Sequence, residues 1–562
     1  MEVYLTTIGI IGAALAAIAV VMIRENCKRR KSFLAMLRRQ YGACAEREYR
    51  PGEMERISHY FKRKQGAGFQ IDDITWNDLD MDRVYAMVNR TVSSPGDDYL
   101  YDRMRTPGFS EEELREQERL VTFFQSHPRE REKLQLILLE VGRSRYGSLA
   151  DMVFTIHEAP FISPVPHIIG DVLLAGSLAF MLAAPVPGLL ASVFFMFYNV
   201  VTYYTGKERK NIELYLSCFN SLVGMLQAAK KMETLEWPQI KTRIEAIKEG
   251  RKAFGSFSQR AFFLGTSSAT DSNPLQAILD YLRIVFHIDI LVYNSLLRTA
   301  QKQEKAVFLL LDNMGALDAS IAIGCFRKFL PYWSSPVLDK EETGIQMKDL
   351  YHPLIENPVA NSLDMKGPVL LTGSNASGKS TFLKTVAVNA ILAQTLGTCT
   401  ASYYQAPYVK ILTSMALKDN LQGGESYFIV EIKSLKRILD ESRKGEPLLC
   451  IVDEVLRGTN TIERVAASSG ILRYLKKEGV FCMAATHDLE LTHILSKEYE
   501  NYHFEEEVGE KEVTFSYQLK KGRADTRNAI RLLELMDYPK TVVERAETSA
   551  KEFERTGIWR ES

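Results

Sequence analysis

Gly373, Gly378, Lys379 and Ser380 are spaced as G-x-x-x-x-G-K-[ST] within KGPVLLTGSNASGKST, residues 366–381. That spacing suits the grip of a polyphosphate. Glycines let backbone N–H groups turn inward around phosphate oxygens, and the helix that follows offers the positive end of its dipole. Lys379 is placed to reach the β- and γ-phosphates, and the Ser380 hydroxyl to hold Mg²⁺. Ser374, Asn375, Ala376 and Ser377 between the glycines, and Thr381 after the motif, complete the expected loop. The expected substrate is ATP and the expected cofactor Mg²⁺.

Two more apolar runs end in residues that do chemistry. Leu448–Val452 delivers Asp453 and Glu454. Asp453 would bind Mg²⁺ through water, and Glu454 would polarise the attacking water as general base. Val480–Ala485 ends in Thr486 and His487, where a histidine can sense the γ-phosphate. Two acids after an apolar run, or one loop histidine, are weak signals alone; behind a phosphate loop they reinforce one another. Between them, DNLQGGESYFIVEIKSLKRIL (419–439) makes a second glycine-rich helix start. Gly423 and Gly424 precede Ser426, and Phe428, Ile432, Leu435 and Ile438 fall on one helix face. One nucleotide does not need two cradles on one subunit. In ATPases of the ABC superfamily the second cradle caps the opposite subunit's nucleotide, which implies a homodimer with composite sites. The plainer alternative is a turn and a helix cap.

From about residue 331, short apolar strands alternate with amphipathic helices, a pattern of parallel sheets. The expected fold class is an α/β P-loop (ABC-type) ATPase domain with a parallel-rich sheet over 331–540, and a C-terminal helix and tail over 541–562. Residues 24–160 and 207–330 carry helix-period apolar stripes and form an expected all-α core/lever domain. SEEELREQERLVTFFQ (110–125) shows the local logic: a serine cap, an acidic first turn, then Leu114, Leu120 and Phe124 on one stripe.

Two stretches are too apolar for that scheme. Val3–Ile23 is uncharged and long enough, at about 1.5 Å per residue, to cross a bilayer. In 161–206 Asp171 is the only Asp, Glu, Lys or Arg, and Pro185, Pro187 and Gly188 divide it into spans 168–184 and 188–205. Basic clusters follow both stretches: Arg24, Lys28, Arg29, Arg30 and Lys31, then Lys207, Arg209 and Lys210. Positive residues stay in the cytoplasm, so three transmembrane helices (one in 1–23, a hairpin in 161–206) put the N-terminus outside and the ATPase domain inside the plasma membrane. Asp171 is either a functional intramembrane acid or an interfacial one near its helix start, where the dipole favours it.

The 562 residues are 46% hydrophobic and 25% charged, as in folded proteins, with 70 basic and 70 acidic side chains. An even balance does not advertise a nucleic-acid binder, although a local basic face stays open. The seven cysteines are scattered without a C-x-x-C pair, which argues against a disulfide framework or a zinc site.

Together these elements resemble the MutS family of mismatch-repair ATPases. GSNASGKST is similar to that family's G-P-N-x-x-G-K-S-T loop, and ESYFIVEI to its S-T-F-x-V-E segment, where Ser426 would reach the partner's nucleotide. CIVDEVLRGTNT resembles D-E-x-x-R-G-T-S-T, and AATHDLEL the A-T-H segment. YHPLIENPVANSLDM resembles the R-H-P-x-x-E lead-in, with Val359 at an adenine-contacting position. The resemblance covers roughly 70–160 and 300–545 and implies ATP binding, hydrolysis and dimerisation. Departures are also present. There is no room for the mismatch-reading domain, and an apolar hairpin stands about where the family carries its DNA clamp. The family's D-D reads Asp419-Asn420, and its S-x-G-I reads Arg527-Asn528-Ala529-Ile530. Two functional classes follow: a DNA-associated ATPase of the repair or recombination kind, and a membrane-tethered ATPase acting on a membrane partner or scaffold without DNA.

Overall fold

The computed structural model describes residues 20–562, apart from 22, 26, 44–46, 65–67, 144–150, 152–155, 157–158, 160, 206, 256, 262–280, 375–376, 416–426, 457–458, 509–512, 525–529, 531–532, 534–535, 558 and 560–562. Its chain divides into two units. The first comprises Met1–Ala67, Ala86–Arg103 and Glu116–Phe329; the second comprises Gly68–Tyr85, Met104–Arg115 and Leu330–Ser562. The helical block expected over 24–160 thus contributes two short segments to the second unit.

The first unit is helical, and its central element is Glu304–Phe329. This helix is apolar on nearly every side, which composition alone cannot distinguish from a membrane span. Of its most apolar window, 78% is buried within the protein, so it serves as a core helix. Leu310, Leu311, Met314, Leu317 and Ile321 pack there with Phe219, Leu226 and Tyr293. Near its end the buried Arg327 makes a bidentate bond to Glu118, at 2.8 and 2.6 Å. Paired donors and acceptors of this kind fix orientation as well as adding energy.

Val165–Ala183 and Pro185–Thr205 form the apolar hairpin, joined at Ala184 alone. The turn is tighter than the expected one at Pro185–Gly188, because Pro185 opens the second helix. Proline suits a first helical position, where its missing N–H is not needed. A Cβ on Gly188 would fall 2.3 Å from the Met181 Cα, so glycine lets the two helices meet at the bend. Both helices are long and apolar enough to cross a membrane, and only 17% and 22% of their spans are buried by the protein. Val172, Leu182, Val186, Leu190, Phe194 and Phe197 are exposed. The first expected span falls outside the described residues except Val20, Val21 and Ile23, which are helical and exposed.

Asp171 is not in the first turn of its helix, so the dipole does not account for it. Its partners lie elsewhere in the chain. Asn199 Nδ2 donates to Asp171 Oδ1 at 3.3 Å and to the Val285 carbonyl at 3.0 Å. His287 Nδ1 stands 3.6 Å from the same carboxylate, and Tyr203 donates to Asp289 at 2.6 Å.

The second unit holds two sheets. One is ordered β1 (Val337–Leu338), β5 (Tyr403–Ala406), β2 (Ile345–Leu350), β3 (Asn361–Met365). The other is ordered β10 (Val513–Lys521), β9 (Glu500–Val508), β4 (Val369–Thr372), β8 (Phe481–Ala485), β7 (Leu448–Asp453), β6 (Lys410–Ser414). In this sheet β9, β4, β8, β7 and β6 run parallel and β10 is antiparallel. β4 and β7 are buried throughout, as parallel strands covered on both faces are. The exposed edge of β6 is capped by Asp73–Asp78: Asp78 accepts from the Thr413 hydroxyl and the Met415 N–H.

Candidate nucleotide-binding site

Leu371 of β4 lies opposite Ala485 of β8, and Ala485 lies opposite Asp453 of β7. This row brings the loop, the Thr-His pair and the two acids out of the same sheet edge. Carboxyl ends of parallel strands are where such sheets bind ligands. The Thr486 N–H bonds the Leu371 carbonyl at 2.9 Å, and the Glu454 N–H bonds the Ala485 carbonyl at 3.0 Å, so the three exits are tied together.

The loop leaves β4 and re-enters helix Lys379–Leu396 through Gly378, at φ 105°. That conformation favours glycine, and a Cβ there would press on the Tyr517 ring at 3.1 Å. Lys379 is buried and donates to the carbonyls of Gly373, at 2.7 Å, and Ser374, at 2.6 Å. The ammonium is thus held inside its own loop. The buried Ser377 hydroxyl has no hydrogen-bond partner among the described residues. The Ser374 hydroxyl donates to Glu506 of β9. Asn375 and Ala376 lie outside the described residues.

Past β7 the backbone turns sharply, with Glu454 at φ 57° and Leu456 at φ 61°. Left-handed non-glycine residues cost about 1–2 kcal/mol each and gather at functional turns. Glu431, on helix Tyr427–Ser442, accepts from the Leu456 N–H and supports the turn. His487 Nε2 stands 2.8 Å from Glu454 Oε1. The histidine turn is itself clamped. Arg464, on helix Thr461–Lys477, makes paired bonds of 2.8 and 2.6 Å to Asp488, which holds the guanidinium pKa above its ordinary value. The Asp488 N–H in turn bonds the Thr486 hydroxyl at 3.0 Å.

These parts surround a cleft of about 740 Å³, within the usual range for small-molecule sites. Ser374, Ser377, Gly378, Lys379, Ser380 and Thr381 line it, with Glu454, His487 and Val359. Asp453 is buried at the strand end and does not line it. Ser426, Gly423 and Gly424 lie outside the described residues, as do Asp419-Asn420 and Arg527–Ala529.

His352 and Tyr517 are among the lining residues that the motifs do not single out. His352 is buried in the cleft wall; burial, with Lys384 adding, pushes its pKa down to about 4, so it is neutral at pH 7. Tyr517 reaches the cleft from an irregularity in the β10–β9 pairing, at φ 52°. Asn361 pins that irregularity, donating to the Tyr517 carbonyl at 2.9 Å and accepting from the Leu519 N–H at 2.7 Å. His352 lies in the YHP run before β3; nothing in the order of residues marks Tyr517.

A phosphate loop after a buried central strand, with acids and a histidine leaving neighbouring strands at the same edge, is the build of P-loop nucleotide-binding domains. Residues 369–554 match the family model described as MutS domain V. It is 32% identical over 223 residues to the DNA mismatch repair protein MutS of Natronomonas pharaonis, covering 38% of this chain and 26% of that protein. Identity is 34% over 200 residues to the protein of the same name from Thermus thermophilus, covering 35% and 24%. With MutS protein homolog 4 of Homo sapiens it is 28% over 280 residues, covering 47% and 29%. The chain thus spans about a quarter of the length of the curated relatives it matches.

Proposed function

We propose that the protein is a membrane-anchored ATPase that binds and hydrolyses ATP in this cleft and couples the cycle to DNA. The observation that carries the ATPase half is the 2.8 Å approach of His487 to Glu454 on the wall of the cleft that Lys379 lines. Lys379 would exchange two loop carbonyls for phosphate oxygens, and the Ser377 hydroxyl, without a partner among the described residues, would gain an acceptor. Ser380 and Asp453 would hold Mg²⁺, whose charge offsets that of the phosphates when bound. Glu454 orients water and takes its proton, with His487 steadying the carboxylate. Val359 flanks the base. Ser426 would complete the site of a second copy, which makes the active species a homodimer.

The membrane half is supported by the hairpin, whose apolar sides the protein leaves uncovered. With the basic clusters after 3–23 and 161–206, it favours a multi-pass plasma-membrane protein with an outside N-terminus and cytoplasmic ATPase domain. DNA coupling draws on the names of the relatives. The uncovered hairpin equally favours a second reading, in which the ATPase acts on a membrane partner or scaffold without DNA. ATPase assays on detergent-purified protein, with and without duplex, branched and mismatched DNA and with and without liposomes, separate the two. Stimulation by DNA with a steep salt dependence supports the first. Indifference to every DNA, with stimulation by liposomes, supports the second.

A further inference from the structure

Where the motif G-P-N-x-x-G-K-S-T has proline, this chain has Ser374. Proline would hold φ near about −65°. Serine gives up that restraint and adds a hydroxyl, which is used: Ser374 Oγ donates to Glu506 Oε2. Glu506 lies on β9, the direct neighbour of the loop strand β4, and is only 8% exposed. A carboxylate buried to that degree needs a donor. Among the described residues Ser374 supplies it. Ser374 also gives one of the two carbonyls that hold Lys379. A chain of contacts therefore runs from Glu506 through Ser374 to the lysine.

We propose that Glu506 is a positioning residue of the phosphate loop, which through the Ser374 hydroxyl replaces the restraint of the missing proline and sets where Lys379 waits. The proposal rests on the ATP-binding function given above. Its test compares two uncharged variants, so that charge repulsion between carboxylate and phosphates cancels. Glu506→Gln keeps a hydrogen-bond acceptor; Glu506→Ala does not. A fluorescent ATP analogue should bind the full chain about tenfold more weakly in Glu506→Ala than in Glu506→Gln, with kcat nearly equal. The gap should vanish when Ser374→Pro is present in both. Independently of nucleotide, amides of 372–380 should exchange hydrogen faster in Glu506→Ala than in wild type or Glu506→Gln. Equal affinity of the two variants with Ser374 in place, or an undiminished gap in the Ser374→Pro background, overturns the proposal. If wild type itself binds no ATP, the ATPase function fails and the exchange comparison alone decides: equal exchange overturns the latch, and faster exchange in Glu506→Ala upholds it.

Discussion

His487 Nε2 stands 2.8 Å from Glu454 Oε1, although the two residues leave different strands of the sheet. A hydrogen bond there fixes the direction in which the carboxylate faces the cleft. His487→Ala should lower kcat roughly ten- to hundredfold with little change in KM, because it disturbs the hydrolytic step more than binding. Steady-state ATPase kinetics check this; a raised KM at unchanged kcat would contradict it.

The Arg464–Asp488 clamp reaches the same histidine indirectly. Asp488→Ala frees the turn that carries His487 while leaving the ring itself intact. The expected loss in kcat is smaller than for His487→Ala, and the double variant should be no slower than His487→Ala alone. Fully additive losses would show that the clamp acts elsewhere.

His352 gives a pH dependence with a definite sign. Its folded pKa is depressed from 6.5 to about 4, first by burial and then by Lys384, so the unfolded chain binds the extra proton between those values. Stability is fully present above about pH 6.5 and is lost as pH falls toward 4, by about 3 kcal/mol at most from this group. Denaturant unfolding in detergent across pH 4–7 should show that loss in wild type and a shallower one in His352→Gln. Identical slopes would contradict the assignment.

The membrane topology is open to chemical labelling. Ala184 joins the hairpin helices and would lie outside the cell, while the exposed Cys27 follows the first span and would lie inside. An impermeant maleimide on intact cells should label Ala184→Cys and reach Cys27 only after permeabilisation. Labelling of Cys27 in intact cells contradicts the arrangement.

Much of the site was legible because its residues follow apolar runs: β4, β7 and β8 are short, buried and bounded by the residues that line the cleft. What escaped depends on pairing across distance. Tyr517 enters the cleft through an irregular β10 register, and Asp171 finds Asn199 on the second hairpin helix and His287 just before helix Ile288–Lys302. Periodicity misled in one place. Leu435 and Ile438 of the expected apolar face are buried and Phe428 packs against the same core cluster, but Ile432 is exposed. Apolar content is ambiguous in another: the most apolar windows of Glu304–Phe329 and of the hairpin helices have similar hydropathy, and packing separates core from candidate span.

The central claim, that ATP held by the loop is cleaved through Glu454, is tested most directly by measuring ATP occupancy and turnover together in wild type, Lys379→Ala and Glu454→Gln. Lys379→Ala should lose binding. Glu454→Gln should bind ATP about as well as wild type and turn over about a hundredfold more slowly or less. Wild-type turnover by Glu454→Gln with ATP bound would contradict the account.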